Sequence, residues 1–191
     1  MAEEHGQVRE EQLDPEREAR RRLALAQIRQ YPDPVLRMKA REVESFDADL
    51  RSLVQRMIQL MQDANGVGLA GTQVGTLQRL FVLQPDAETE PRALVNPQIV
   101  DRSDETATDD EGCLSLIGIT VPVERSVRVA LEGKDENGEG VRLELEGHPA
   151  RVVQHELDHL DGVLIVDRTT PEERRRALGE LRPEPVLTPI A

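Results

Sequence analysis

The chain has 191 residues with 37 acidic and 24 basic side chains, a formal net charge of −13; the length fits one domain with a real core. That balance disfavours broad nucleic-acid binding, because phosphate contacts need clustered Lys and Arg. No apolar stretch approaches the roughly 18–20 residues that cross a bilayer, and the single Cys113 excludes an intramolecular disulfide framework. The acidic, polar segment from Met1 to Gln12 is unlike a secretory signal, so a cytoplasmic location is expected.

In chain order, residues 1–27 read as a charged extension, a loosely held helix or a flexible segment, with Leu23, Leu25 and Ile28 its late apolar residues. Tyr31-Pro32-Asp33-Pro34 forces an extended or turn conformation, since each proline restricts the residue before it. Asp47 to Gln62 predicts an amphipathic helix. Leu50, Leu53, Val54, Met57, Ile58 and Met61 recur at i, i+3, i+4 and i+7, and Asn65-Gly66 is a natural stop. Short β-type runs follow at 80–83, 94–100, 119–123, 127–131 and 141–145. Glu136-Asn137-Gly138-Glu139 between the last two predicts a tight hairpin turn. His148-Pro149 opens a second helix reaching about Leu160. Both of its faces are occupied, which suits a helix in the middle of a domain. Thr170-Pro171-Glu172-Glu173 has the form of a capping box and predicts a short helix ending before Pro183. The class is α+β: short, mostly antiparallel strands around a central metal-binding helix.

The densest chemical signal lies on that central helix, at His155-Glu156-Leu157-Asp158-His159. Residues four apart share a face, so both imidazoles can reach one metal, with Glu156 beside them to handle a proton. A catalytic site of this kind usually has three protein ligands. His5 and His148 are poorly placed, and no third histidine follows in the metzincin pattern. Cys113, in Glu111-Gly112-Cys113-Leu114-Ser115, is by itself as readily a core residue as a ligand; beside the two histidines it becomes the favoured third ligand. The glycine-rich run Gly66-Val67-Gly68-Leu69-Ala70-Gly71-Thr72-Gln73-Val74-Gly75 follows a helix and lacks a terminal Lys-Ser/Thr, so a phosphate loop is disfavoured. Small residues there let a ligand approach the backbone, and Gln73 offers amide donors.

Together and in this order, the Gly-x-Gly-x-Ala-x-x-Gln segment, the Glu-Gly-Cys-Leu-Ser segment and the His-Glu-x-Asp-His helix resemble the three motifs of peptide deformylases. The resemblance runs from about Ile28 through Asp167 and includes Asp33-Pro34-Val35-Leu36-Arg37. It implies a hydrolase that removes the formyl group from the N-terminal formylmethionine of nascent polypeptides and releases formate. Cys113, His155 and His159 match the metal ligands, Glu156 the general acid–base, and Gln73 with the Leu114 N–H the oxyanion donors. Val67 and Gly68 match the backbone edge along which the peptide lies as an added strand, and Gly112 is counted with them as substrate-binding. The implied cofactor is one divalent metal, usually Fe(II), with zinc, nickel or cobalt as other occupants of such a site.

On this reading 28–170 is the catalytic domain, preceded by the extension 1–27 and followed by a short helix and tail, 171–191. Three departures stand out: Gly71 where alanine is usual, expected to loosen the loop by roughly 0.5–1 kcal/mol; Ile117 where proline is common; and Thr120 where an arginine often lines the groove. The last two bear on preference for the peptide beyond formyl-Met. Arg125 matches a position that pairs with Glu111. Asp158 and Asp161 are candidate acceptors for the ligand imidazoles. The expected partners are formylmethionyl nascent peptides, with no membrane and no direct sequence-specific nucleic-acid binding; Arg174–Arg176 is the one candidate patch for ribosome docking. The competing readings are a metallopeptidase, a non-catalytic metal-binding protein and a deformylase acting on another formyl-amine.

Overall fold

Residues 3–10, 14–86 and 88–181 are described by the structure, a computed structural model. A short hairpin comes first, β1 (Glu3–His5) and β2 (Val8–Glu10), turning at Gly6 with φ +59°. Helix α1 (Pro15–Leu25) starts where the Asp14 side chain accepts from the N–H groups of Glu16 and Arg17, two donors that a helix cannot satisfy internally. Its last residues, Ala24 and Leu25, are buried with Ile28 against α2 (Ala48–Asp63). In α2 the periodic set is turned inward as Leu50, Val54, Met57, Leu60 and Met61, with Leu53 and Ile58 half-buried on its flank. Asn65, at φ +58°, takes the left-handed conformation just past its end.

Seven strands follow: β3 (Gly68–Ala70), β4 (Leu80–Leu83), β5 (Arg92–Arg102), β6 (Thr106–Cys113), β7 (Leu116–Ser126), β8 (Arg128–Lys134) and β9 (Gly140–Glu146). Five form one antiparallel sheet in the order β3-β4-β5-β8-β9, while β6 and β7 form a separate ribbon. Alternation along β4 fixes the layering. Leu80 and Val82 pack with α2, whereas Phe81 and Leu83 pack with α3 (His148–Leu160) on the other face. Every residue of α3 from Ala150 to Leu160 is buried, so the α+β architecture is built around this helix, as its two occupied faces predict. A third apolar cluster joins the ribbon to Leu164–Val166 and to Ala177 of α4 (Pro171–Glu180).

Several features differ from the sequence expectation: a β1–β2 hairpin lies in the segment read as a loosely held helix or a flexible extension, and β3 lies in the glycine-rich run. Strand β6 is unforeseen because Thr106–Asp110 are all exposed and show no apolar alternation; only its backbone register with β7 makes it a strand. The hairpin expected at Asn137-Gly138 is present, joining β8 and β9, but through the five residues 135–139 and not through a two-residue Asn-Gly turn. Asp135 organises it by accepting from the N–H groups of Asn137 (2.8 Å) and Glu139 (2.9 Å), and only Gly138 takes a positive φ. Of the expected capping box the Thr170 half is present, with Thr170 Oγ1 accepting from Glu173 N–H at 3.2 Å. Among the described residues, no helix is long and apolar enough to cross a membrane.

Candidate active site

His155 and His159 lie one turn apart on α3, with ring centroids 5.0 Å apart. Cys113 ends β6 at a register shift that follows Gly112, and its Sγ lies 3.3 Å from His159 Nε2. One ligand atom from each of the three falls within 4.8 Å of the others. Donors bound at about 2.0–2.3 Å around one tetrahedral ion are separated by about 3.5 Å, so the spacing fits a single metal. The hydrogen bonding fits as well. His155 Nδ1 meets Glu111 Oε2 at 3.0 Å, and because a carboxylate only accepts, Nδ1 carries the proton and Nε2 presents a lone pair. That buried Nε2 has no partner among the described residues.

Glu111 is fully buried and held from two sides. Arg125 donates to it through Nε (2.9 Å) and Nη2 (3.0 Å), and Arg151 through Nη1 (2.7 Å). Burial opposes its ionisation, but the bonds from His155 and Arg125, with Arg125's charge, hold its carboxyl far below the usual range. Arg125 also donates to Asp158, which in turn accepts from Arg168. Asp158 therefore serves the arginines rather than an imidazole, and Asp161 pairs with Arg79 at 2.8 Å; the acceptor for His155 is Glu111. Burial, then the charges of His155 and Arg125, keep His159 well below the usual histidine range, hence neutral. Burial pushes the Cys113 thiol up, so a thiolate here requires a cation beside it.

Glu156 faces the glycine-rich segment. A Cβ built on Gly68 would lie 2.2 Å from Glu156 Oε1, so only glycine lets the two approach. Burial pushes the Glu156 carboxyl well above the usual range, opposed by a bond from Gln7 and reinforced by Glu111. Gln73, fully buried, is aimed by its own loop: its Oε1 accepts from Ala70 N–H at 2.9 Å, which leaves Nε2 pointing 3.8 Å from Cys113 Sγ and 3.1 Å from Ser115 Oγ. One oxygen receives both that amide (3.0 Å) and the Leu114 N–H (2.9 Å), and it belongs to the side chain of Gln7.

A family model described as polypeptide deformylase matches residues 25–175. The chain belongs to the peptide deformylase family. It is 50% identical over 147 residues to the peptide deformylase of Thermotoga neapolitana, covering 77% of this chain and 88% of that protein. With the Acidothermus cellulolyticus enzyme it shares 48% over 160 residues, 84% of this chain and 87% of that one. The crystal structure of the Thermotoga maritima deformylase superposes with a TM-score of 0.73 at 48% identity, over 75% of this chain and 97% of the other. That of a Synechococcus elongatus deformylase in complex with actinonin superposes at 0.76 and 40% identity, over 80% and 85%.

Within this deformylase fold, Cys113, His155 and His159 form one cluster, and Glu156, Gln73 and Leu114 converge beside it on a single amide group, that of Gln7. Val67 and Gly112 hold the backbone of Gln7 from either side, Val67 N–H donating to Gln7 O at 3.1 Å and Gln7 N–H donating to Gly112 O at 3.3 Å, while Ile117 lies half exposed (50%) and Thr120 pairs with Gly112 across the ribbon. Gly71 does not act as a loosening substitution. A Cβ there would sit 2.7 Å from the carbonyl oxygen of Gln78, so its absence lets that backbone pack closely. Sequence reasoning missed Arg151 and Gln7. The first had a signal, standing four residues before His155 on one helix face; Gln7 had none. Arg174, Arg175 and Arg176 are engaged by Asp167, Glu172 and Glu173, so the basic run is not an unpaired cationic patch.

Proposed function

We propose that this chain removes the formyl group from the N-terminal formylmethionine of nascent polypeptides, with Cys113, His155 and His159 holding one divalent metal, Fe(II). The observation that carries the reading is the convergence of two N–H donors on one amide oxygen, with a carboxylate on the nitrogen side and the three-ligand cluster adjoining. The sulfur and two imidazoles suit Fe(II) as well as zinc. When bound, the metal supplies Lewis acidity that makes water a nucleophile at neutral pH.

The protein's own groups do the rest. The peptide enters as a strand between Val67 and Gly112, with Gly68 leaving room for Glu156. Gln73 Nε2 and the Leu114 N–H bind the formyl oxygen and strengthen their bonds as it gains charge; loss of one such donor typically costs about 2.7–4 kcal/mol. Glu156, its pKa raised by burial, takes the proton of the attacking water and returns it to the departing amine. Ribosome docking by Arg174–Arg176 would have to break existing ion pairs, and unchanged co-sedimentation after deletion beyond Thr170 would remove it from consideration.

The test is formate release from formyl-Met-Ala-Ser by anaerobically purified protein, with metal content measured in parallel. Equimolar formate and free amine are expected. Cleavage of unformylated peptides without formate would make it a metallopeptidase instead.

A further inference from the structure

We infer that the N-terminal segment Gly6–Val8 is a built-in pseudosubstrate, which fills the peptide groove and sets the Gln7 carboxamide where the scissile formyl amide belongs. The inference rests on the roles proposed above for Gln73, Leu114 and Glu156. Gln7 lies outside residues 25–175, the segment matched to the family.

The backbone of this segment is bound as an added strand. Gln7 N–H donates to Gly112 O at 3.3 Å, and Val67 N–H donates to Gln7 O at 3.1 Å. Gly6 bridges Gly112 in the parallel sense and Val8 bridges Gly66 in the antiparallel sense. Both edges of the groove are thereby taken. The approach is close: Gly6 has φ +59°, and a Cβ on it would lie 2.9 Å from Glu111 Cβ. Its carbonyl meets His148 Nε2 at 3.1 Å.

The side chain carries the argument further. Gln7 Oε1 is the oxygen that accepts from Leu114 N–H and Gln73 Nε2, while Gln7 Nε2 donates to Glu156 Oε1 (3.0 Å), to its Oε2 (3.3 Å) and to Gln73 Oε1 (2.7 Å). A backbone N–H only donates, so the Leu114 bond fixes which end of the amide is oxygen. The oxygen, carbon and nitrogen of this carboxamide face the groups proposed to handle those atoms of a formamide. Gln7 is fully buried, and its amide carbon carries a methylene where a formyl carbon carries hydrogen. The group binds as an amide without being the formamide the site hydrolyses.

Tethering makes weak affinity sufficient. The hairpin joins α1 through the few residues between Glu10 and Asp14, and α1 is anchored by Ala24 and Leu25 in the core shared with α2. A short tether holds a ligand at an effective concentration in the millimolar range. Substrate then binds only the fraction of molecules whose groove is open, so KM rises by the reciprocal of that fraction while kcat is unaffected.

The experiment compares the metal-loaded full chain with its Gln7→Ala and Gly6→Val variants in formate release from formyl-Met-Ala-Ser. The second variant dislodges the strand sterically without changing the identity of residue 7. Both variants should lower KM about tenfold or more, with kcat within about twofold. In parallel, a fluorescent peptide of residues 3–10 is titrated into the Gln7→Ala full chain. It should bind saturably and be displaced by formyl-Met-Ala-Ser, and its Gln7→Ala version should bind at least about tenfold more weakly. Equal KM values, a fall in kcat at constant KM, or peptide binding indifferent to Gln7 would overturn the inference. Formate released by none of the chains would count against the deformylase reading, and the peptide titration would still decide this one.

Discussion

Replacing Glu111 by Gln keeps the size of the side chain and removes one buried negative charge. Four bonds depend on that carboxylate: two from Arg125, one from Arg151 and one from His155, all between 2.7 and 3.0 Å. Arg151 would retain Asp109 and the carbonyls of Val123 and Ala107, and Arg125 would retain Asp158, so the cluster would be weakened without being abandoned. Removing one partner of a buried pair typically costs 3–5 kcal/mol; at about 2–4 °C per kcal/mol for a chain of this size, Tm should fall by about 6–20 °C. Metal affinity should fall as well, because one carboxylate oxygen becomes an NH2 that cannot accept from arginine or from His155 Nδ1, and weakened support of a ligand imidazole costs about 10–100-fold. Urea unfolding of the metal-free protein measures the first effect, and competition with a chelator the second. A variant with an unchanged urea midpoint and metal affinity within twofold of the parent would refute the assignment of Glu111 as the residue that orients His155.

Three further outcomes follow from other sites. Glu156→Ala should retain its metal by elemental analysis and lose about 10²–10⁴-fold in formate release; substantial remaining activity would end its acid–base role. Gly71→Ala should destabilise by about 1–3 kcal/mol in urea, because the new methyl meets the Gln78 carbonyl at 2.7 Å; a neutral or stabilising change would return Gly71 to the status of a loosening substitution. Asp167 is held below the usual carboxylate range, burial being outweighed by bonds from Arg37 and the Leu164 N–H and by the charges of Arg37 and Arg174. A lowered folded pKa stabilises fully above the unfolded value of about 4 and is lost as pH falls through the folded one. Asp167→Asn should therefore cost about 1 kcal/mol at pH 7 and progressively less below pH 4; a pH-independent difference would contradict that assignment.

The sequence was legible where local chemistry and the final packing agree. Helix α2 shows its apolar stripe, and α3 has both faces occupied because it lies between sheet and ribbon. The candidate ligands His155 and His159 could be paired because they lie four residues apart on one helix. Strand β6 hides because an exposed strand in a two-stranded ribbon has no core face to advertise. Arg151 and Glu111 look like surface charges one at a time and become intelligible only together, 40 residues apart. Gln7 is the extreme case. It sits in a charged segment, and its partners Gln73, Leu114 and Glu156 are 66, 107 and 149 residues away. Nothing in a local window encodes such contacts.

The arginines around α3 have an electronic consequence. Arg168, half exposed (48%), meets Asp158; Asp158 meets Arg125; Arg125 meets Glu111; and Glu111 meets the Nδ1–H of His155. Signs alternate along this row from solvent to the imidazole, and each charge polarises the bond beyond it. The electron-donating strength of His155 is therefore adjustable from the molecular surface, and substitutions at Arg168, four contacts away from the imidazole, provide a way to tune it.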